Sequence, residues 1–159
     1  MHHKGPMDVS IIIVNWNTRL LLDRCLCSIE AGVGGLAAQV LVVDNGSTDG
    51  SAELVVDRFP QVELLRNQEN VGFARANNQA YGRAQGQYVL LLNPDTELRV
   101  EAVKQMVRFL DADRQRAGVT AVLRNPDGTL QRYHKRLPRW SSILWSETLL
   151  RNVVPCNRW

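Results

Sequence analysis

The stretch Tyr88 to Leu98 reads YVLLLNPDTEL, an apolar run expected to be a buried strand, which ends abruptly in Asn93-Pro94-Asp95-Thr96. Turn residues commonly close a strand, because Asn, Asp and Thr side chains bond the local backbone and Pro presets its own φ. An acid behind a proline is also a place to hold a fixed charge. Hard divalent cations such as Mg²⁺ take oxygen ligands, often one or two carboxylates plus substrate phosphates and water. Asp95 on a strand end, with Pro94 limiting the backbone, suits that task, and no His or Cys cluster competes for a softer metal. Two more apolar runs end in polar clusters: NWNT (Asn15 to Thr18) and DNGSTDG (Asp44 to Gly50). A further cluster, NQENVGFARANNQA from Asn67 to Ala80, contains Gly72, where the backbone can approach a ligand with no side chain in the way. Arg75 reads either as a surface residue or as a phosphate contact. Asn77 and Asn78 are poor helix formers, so at least one is expected to turn inward, toward a ligand or the DNGS loop.

These clusters need elements to hold them, and the pattern alternates strand and helix throughout. Val9 to Val14 (VSIIIV), Val40 to Val43, Val62 to Leu65 and Tyr88 to Leu92 read as strands, the first as a central one covered on both faces. Leu20 to Glu30, Asp49 to Phe59, Phe73 to Ala84 and a segment carrying Val100, Val103, Val107 and Leu110 show helical spacing, and Ala76, Ala80 and Ala84, every four residues, give the third of these a thin face that can lie close on a sheet. Val119 to Leu123 predicts a further strand, and Asn125 to Gly128 (NPDG) a turn. Alternation of this kind means βαβ units and an α/β fold with a mostly parallel sheet and helices on both faces. The carboxyl ends of such strands share one edge, and ligands bind there. Three polar clusters on that edge suggest a polar cleft.

With 159 residues there is room for one domain with a real core. Apolar content of 45% and charged content of 22% are those of an ordinary soluble chain. No apolar run approaches the ~20 residues of a membrane helix. The start lacks the apolar stretch of a signal peptide. Residues 1–6 read as a remnant ahead of a natural start at Met7. Three cysteines, with Cys25 and Cys27 pointing apart on a helix and Cys156 isolated, read as packing in a reducing compartment, so the expected location is the cytoplasm. Net charge is +3, but residues 131–159 carry six Lys and Arg against Glu147, which leaves the rest of the chain at −2. That basic segment is either a solvated end or a contact for phosphates or an anionic membrane surface. The body shows no basic helix or stacking platform, which argues against nucleic acid.

VSIIIVNWN, VVDNGSTDGS, NVGFARANNQA and YVLLLNPDTEL, in this order and spacing, resemble the family 2 glycosyltransferases of the GT-A fold, in particular their bacterial rhamnosyltransferase-like members. The similarity extends from Val9 to about Pro138. It implies a transferase of polysaccharide biosynthesis that moves a sugar, rhamnose in that branch, from a nucleotide diphosphate sugar (dTDP- or UDP-linked) to an acceptor hydroxyl on a saccharide or lipid-linked substrate, with inversion. It implies nucleotide contacts from Val14, Asn15, Asp44, Asn45, Gly72, Arg75, Asn78 and Asn93, and a Mg²⁺ or Mn²⁺ ion on Asp95. Two departures stand out. Many relatives have two aspartates where this chain has Asp44-Asn45, and Asn93-Pro94-Asp95 stands where the family has Asp-x-Asp, so the first carboxylate is missing.

The resemblance implies in-line displacement at the anomeric carbon, with the metal ion neutralising charge on the leaving diphosphate. A carboxylate base must also deprotonate the acceptor. None is identified: Glu97, Glu101, Asp111, Asp113, Asp127 and Glu147 sit in no matching context. The expected organisation is a donor-binding domain over 7–130 and a basic, Trp-containing extension over 131–159, with the acceptor-binding half absent. Trp140, Ile143 and Trp145 then cover either this domain's core or residues beyond it. The competing reading is a sugar-nucleotide binding module without turnover. A nucleotidyltransferase is disfavoured because NWNTRLL has no glycine after the first strand, and a dinucleotide fold because GVGG precedes a strand.

Overall fold

In the computed structural model, which describes residues 7–131, the β-branched run beginning at Val9 becomes the inner strand of a parallel sheet. The elements run β1 (Met7–Asn15), α1 (Arg19–Val33), β2 (Ala38–Asp44), α2 (Ser51–Arg58), β3 (Glu63–Arg66), α3 (Phe73–Tyr81), β4 (Gly86–Leu92) and α4 (Ala102–Asp111). The four strands lie in the order β3-β2-β1-β4, and every pair is parallel. Parallel neighbours need crossover connections, which the helices supply.

Alternation along β1 splits its side chains between two cores. Ile11 and Ile13 pack with Leu22, Leu26, Val55 and Val103, so α1, α2 and α4 cover one face. Ile12 packs with Leu41, Val43, Ala76 and Ala80, so α3 covers the other. The alanines at four-residue spacing let α3 lie close to the strands, as the sequence predicts. Ser10 is the polar interruption in the run, and it is fully buried. Its Oγ accepts the N–H groups of Gln85 (3.1 Å) and Gly86 (2.8 Å) and donates to Gln39 Oε1 (2.7 Å), tying the start of β4 to β1 and β2. Gly86 is required for that approach: a Cβ there would lie 2.3 Å from the Ser10 nitrogen and 2.5 Å from the Val9 carbonyl carbon.

Two expectations are corrected. Tyr88 to Leu92 is a strand but not an enclosed one. It ends the strand order, α3 lies over β1 and β2, and on that side Val89 and Leu91 remain 38% and 56% exposed. Val119 to Leu123 forms no strand. Val122 is 73% exposed, and β-branched residues form a ladder only where a neighbouring strand receives them. The chain divides into two units, Met1–Thr120 and Ala121–Trp159. In the second unit the expected turn is present. The Asn125 N–H donates to the Thr129 carbonyl at 2.8 Å, Gly128 takes a positive φ of 84°, and Arg124 bridges Leu130. The basic segment, Cys156 and the tryptophans at 140 and 145 lie outside the described residues.

Candidate functional site

All four strands point their carboxyl ends to one edge, and the strand order reverses at β1. Open α/β sheets bind ligands at such a switch point. Asn15 pairs with Asp44 on one side of β1, and Ile13 with Leu92 on the other. With strands about 4.8 Å apart, the ends of β2 and β4 flank β1 at a separation of roughly 10 Å.

The β1 and β2 ends are locked by a lattice of side chains. Asn15 is fully buried; its Nδ2 donates to Asp44 Oδ1 (2.9 Å) and Ser47 Oγ (3.1 Å), while its Oδ1 accepts the Thr18 hydroxyl (2.6 Å). Asp44 Oδ2 accepts the Ser47 N–H at 2.9 Å. Asn45 is 2% exposed; its Oδ1 accepts Asn67 Nδ2 (2.9 Å) and its Nδ2 donates to Asn70 Oδ1 (3.2 Å). Asn70 Oδ1 also accepts the Gly72 N–H at 2.9 Å. Gly46, at φ 73°, passes so close to the next loop that a Cβ would lie 3.0 Å from Glu69 Cα. Among the described residues every buried side-chain polar atom has a partner. Asn15, Asp44 and Asn45 therefore form a preset floor, with Val14 half-buried beneath it.

Around this floor Gly72, Arg75, Asn78 and Asn93 are exposed. Gly72 opens α3 at φ 87° with nothing within 4 Å of the space a side chain would take. Asn77 is the asparagine that turns inward, but it donates to Phe73 O of its own helix (2.9 Å) and not to the DNGS loop, while Asn78 is exposed. The link to the DNGS loop comes from Gln79, which pairs both ways with Asn67, and Asn67 reaches Asn45. Gln79 stands beside Leu65, Arg66 and Asn67 at the end of β3, which is what brings it within reach of the loop.

Two rim residues escape a reading by motif. Asp49 caps two helices at once: Oδ2 accepts the Arg19 N–H that begins α1 (2.8 Å), and Oδ1 accepts the Ser51 N–H that begins α2 (3.0 Å). Partial burial opposes ionisation, but these bonds and the Ser51 hydroxyl hold the Asp49 carboxyl below the usual range. Trp16 follows Asn15 at the end of β1 and is 55% exposed.

The arc after β4 carries the acids. Asp95 and Glu97 are exposed, and Asp95 Oδ1 has a long 3.5 Å contact with the Thr96 hydroxyl. Burial first, and then the Asp95 and Glu97 carboxylates, push the Cys25 thiol beneath them up to about 12. Among the described residues no group of three or more His, Cys, Asp or Glu could hold an ion. A Mg²⁺ or Mn²⁺ ion here would need diphosphate oxygens and water beside a single carboxylate such as the exposed Asp95, which is an ordinary arrangement for Mg²⁺.

A parallel sheet of this order, with polar loops gathered over its switch point, defines a ligand-binding α/β domain of the doubly wound kind. The glycosyl transferase family 2 model matches residues 10–155. The N-acetylglucosaminyl-diphospho-decaprenol L-rhamnosyltransferase of Mycobacterium tuberculosis is 29% identical over 139 residues, covering 80% of this chain and 45% of that protein. Chondroitin synthase of Pasteurella multocida is 32% identical over 134 residues, covering 80% of this chain and 14% of that one. Among solved structures, the mannosyltransferase PcManGT from Pyrobaculum calidifontis, in complex with GDP-Man and Mn²⁺, superposes with a TM-score of 0.60 at 27% identity, over 67% of this chain and 33% of that one. The S. aureus TarS 1–349 structure, at a TM-score of 0.60 and 24% identity, shares the fold over 68% of this chain and 33% of its own. The chain belongs to glycosyl transferase family 2 and has the GT-A fold. It spans less than half the length of these relatives. Among the described residues no helix is long and apolar enough to cross a membrane.

Proposed function

We propose that this chain is the donor-binding half of a bacterial glycosyltransferase. It takes a dTDP- or UDP-linked sugar, with rhamnose as the first candidate, for transfer to a hydroxyl of a saccharide or lipid-linked acceptor at the cytoplasmic face of the membrane. The similarity to a rhamnosyltransferase named for a diphospho-decaprenol acceptor supports the sugar and the acceptor class. The observation that most supports the donor reading is the exposed Asp95 carboxylate across the β1 end from the Asp44–Asn45 floor.

In this reading Val14, Asn15, Asp44 and Asn45 shape the base and ribose pocket. Gly72, Arg75, Asn78 and Asn93 line the path of the diphosphate and sugar, and Asp95 holds Mg²⁺ or Mn²⁺. The bound ion supplies charge neutralisation for the leaving diphosphate. In the transfer the acceptor oxygen bonds the anomeric carbon from the face opposite the diphosphate, the carbon–oxygen bond to the diphosphate breaks, and the hydroxyl proton passes to a base. The oxygens of Asp44 and Asp49 accept hydrogen bonds from within the rim, and no base for the acceptor is identified among the described residues. That missing base favours a second reading, a sugar-nucleotide binding module without turnover.

Calorimetry with UDP and dTDP, with and without Mn²⁺, tests the donor reading. Affinity should rise with the metal in the wild type and lose that rise in Asp95→Ala; an unchanged metal effect in the variant rejects the role of Asp95. Donor hydrolysis or sugar transfer separates the enzyme from the module.

A further inference from the structure

The hydrogen-bond lattice ties the ends of β1, β2 and β3 to one another. Among the described residues none of its bonds reaches the arc from Asn93 to Glu97. That arc is held from elsewhere. Cys25, Ser28 and Gly32 lie at i, i+3 and i+7 on α1, one stripe of the helix. Asn93 O accepts the Cys25 thiol at 3.7 Å. Ser28 Oγ accepts the Leu98 N–H at 2.9 Å while donating to Cys25 O at 2.7 Å. Ala31 O accepts the Glu101 N–H at 2.9 Å. At Gly32 a Cβ would stand 2.6 Å from Leu98 Cβ and 2.8 Å from its Cδ1, so the absence of a side chain is what lets Leu98 seat on the helix. Attachments at 93, 98 and 101 leave residues 94–97 as a short span whose acids face outward.

We propose that this stripe of α1 is a positioning rail for Asp95, with Ser28 and Gly32 its two determining residues. Neither touches the ligand; they fix where the arc begins and ends, and hence where the carboxylate stands relative to the Asp44–Asn45 floor. The inference rests on the reading of Asp95 as the cation ligand. It adds that α1, and not the polar loops of the rim, sets the reach of that carboxylate. A carboxylate on a loosely held loop gives up preorganisation, and with it the extra affinity that a bridging ion confers.

The test measures UDP and dTDP affinity for the 159-residue chain with and without MnCl₂, and takes the ratio as the metal increment. Ser28→Ala should cut that increment about five- to tenfold, the scale of one lost hydrogen bond, and leave the metal-free affinity unchanged. Ser28→Thr, which keeps the hydroxyl, should restore it. Gly32→Ala should lower the increment by displacing Leu98; if that variant does not fold, the Ser28 pair still decides. A wild-type increment in Ser28→Ala, beside its loss in Asp95→Ala, overturns the rail and leaves the donor reading standing. Equal losses with and without metal in Ser28→Ala overturn the rail as well, because they mark a general structural role. A wild type with no metal increment removes the role of Asp95 and the rail together.

Discussion

Trp16 is the largest side chain type in the chain, and it stands more than half exposed on the strand end next to a fully buried asparagine. Packing gives no reason for this, since α1 and α3 already cover β1 on both faces. An indole at a ligand-binding edge offers a flat surface for a base, and base–aromatic stacking is worth about 1–3 kcal/mol. Trp16→Ala should therefore weaken dTDP and UDP binding by about fivefold or more, and Trp16→Phe by less. Nucleotide should quench a tryptophan signal that Trp16→Phe lacks; equal affinity in Trp16→Ala would place the base elsewhere. At this scale the sequence names the residue types at the rim but not their orientation. Asn15, Asp44 and Asn45 read as ligand contacts, yet each directs its polar atoms into its neighbours. Turn-forming residues that bind a ligand and turn-forming residues that bind one another have the same composition, and only the register of Asn15 against Asp44 distinguishes them.

Elements were readable where periodicity is strong, as in β1 and in the alanine stripe of α3. They were misread where a neighbour decides. The exposed face of β4 depends on α3 stopping short of it, and residues 119–123 lacked a strand to pair with. The joint capping by Asp49 was equally hidden, because one of its partners is thirty residues away. Neither α1 nor α2 has a side-chain cap from its own N-cap residue, Thr18 or Gly50. Asp49→Ala should then cost about 1–2 kcal/mol, more than the usual single cap, measured by urea denaturation. The sign of its pH dependence follows from its lowered pKa. The contribution is fully present above the unfolded value near 3.8 and is lost as pH falls through the lower folded value, so Asp49→Asn should flatten the stability loss in that acid window. Gly86→Ala acts between elements. Its Cβ would meet the backbone of β1, so β4 must shift, with a cost of about 1–3 kcal/mol. Because β4 delivers Asp95, that variant should lose the metal increment together with stability, whereas Asp49→Asn should leave the increment in place.

At the scale of the whole chain, charge is separated along the sequence. Residues 131–159 hold Arg132, Lys135, Arg136, Arg139, Arg151 and Arg158 against Glu147, and the remainder is net negative. An enzyme drawing its acceptor from a lipid surface gains from a cationic segment of this kind. Each Lys or Arg near an anionic leaflet contributes about 1 kcal/mol, so four adjacent cations suffice for measurable, reversible adsorption. The chain should float with vesicles containing phosphatidylglycerol at low ionic strength. It should be released as salt shortens the Debye length to about 3 Å at 1 M. Replacing Arg132, Lys135, Arg136 and Arg139 together with Gln should abolish flotation. Adsorption that survives both salt and the fourfold substitution would point to apolar insertion, and no flotation at low salt would remove the membrane from this protein's function.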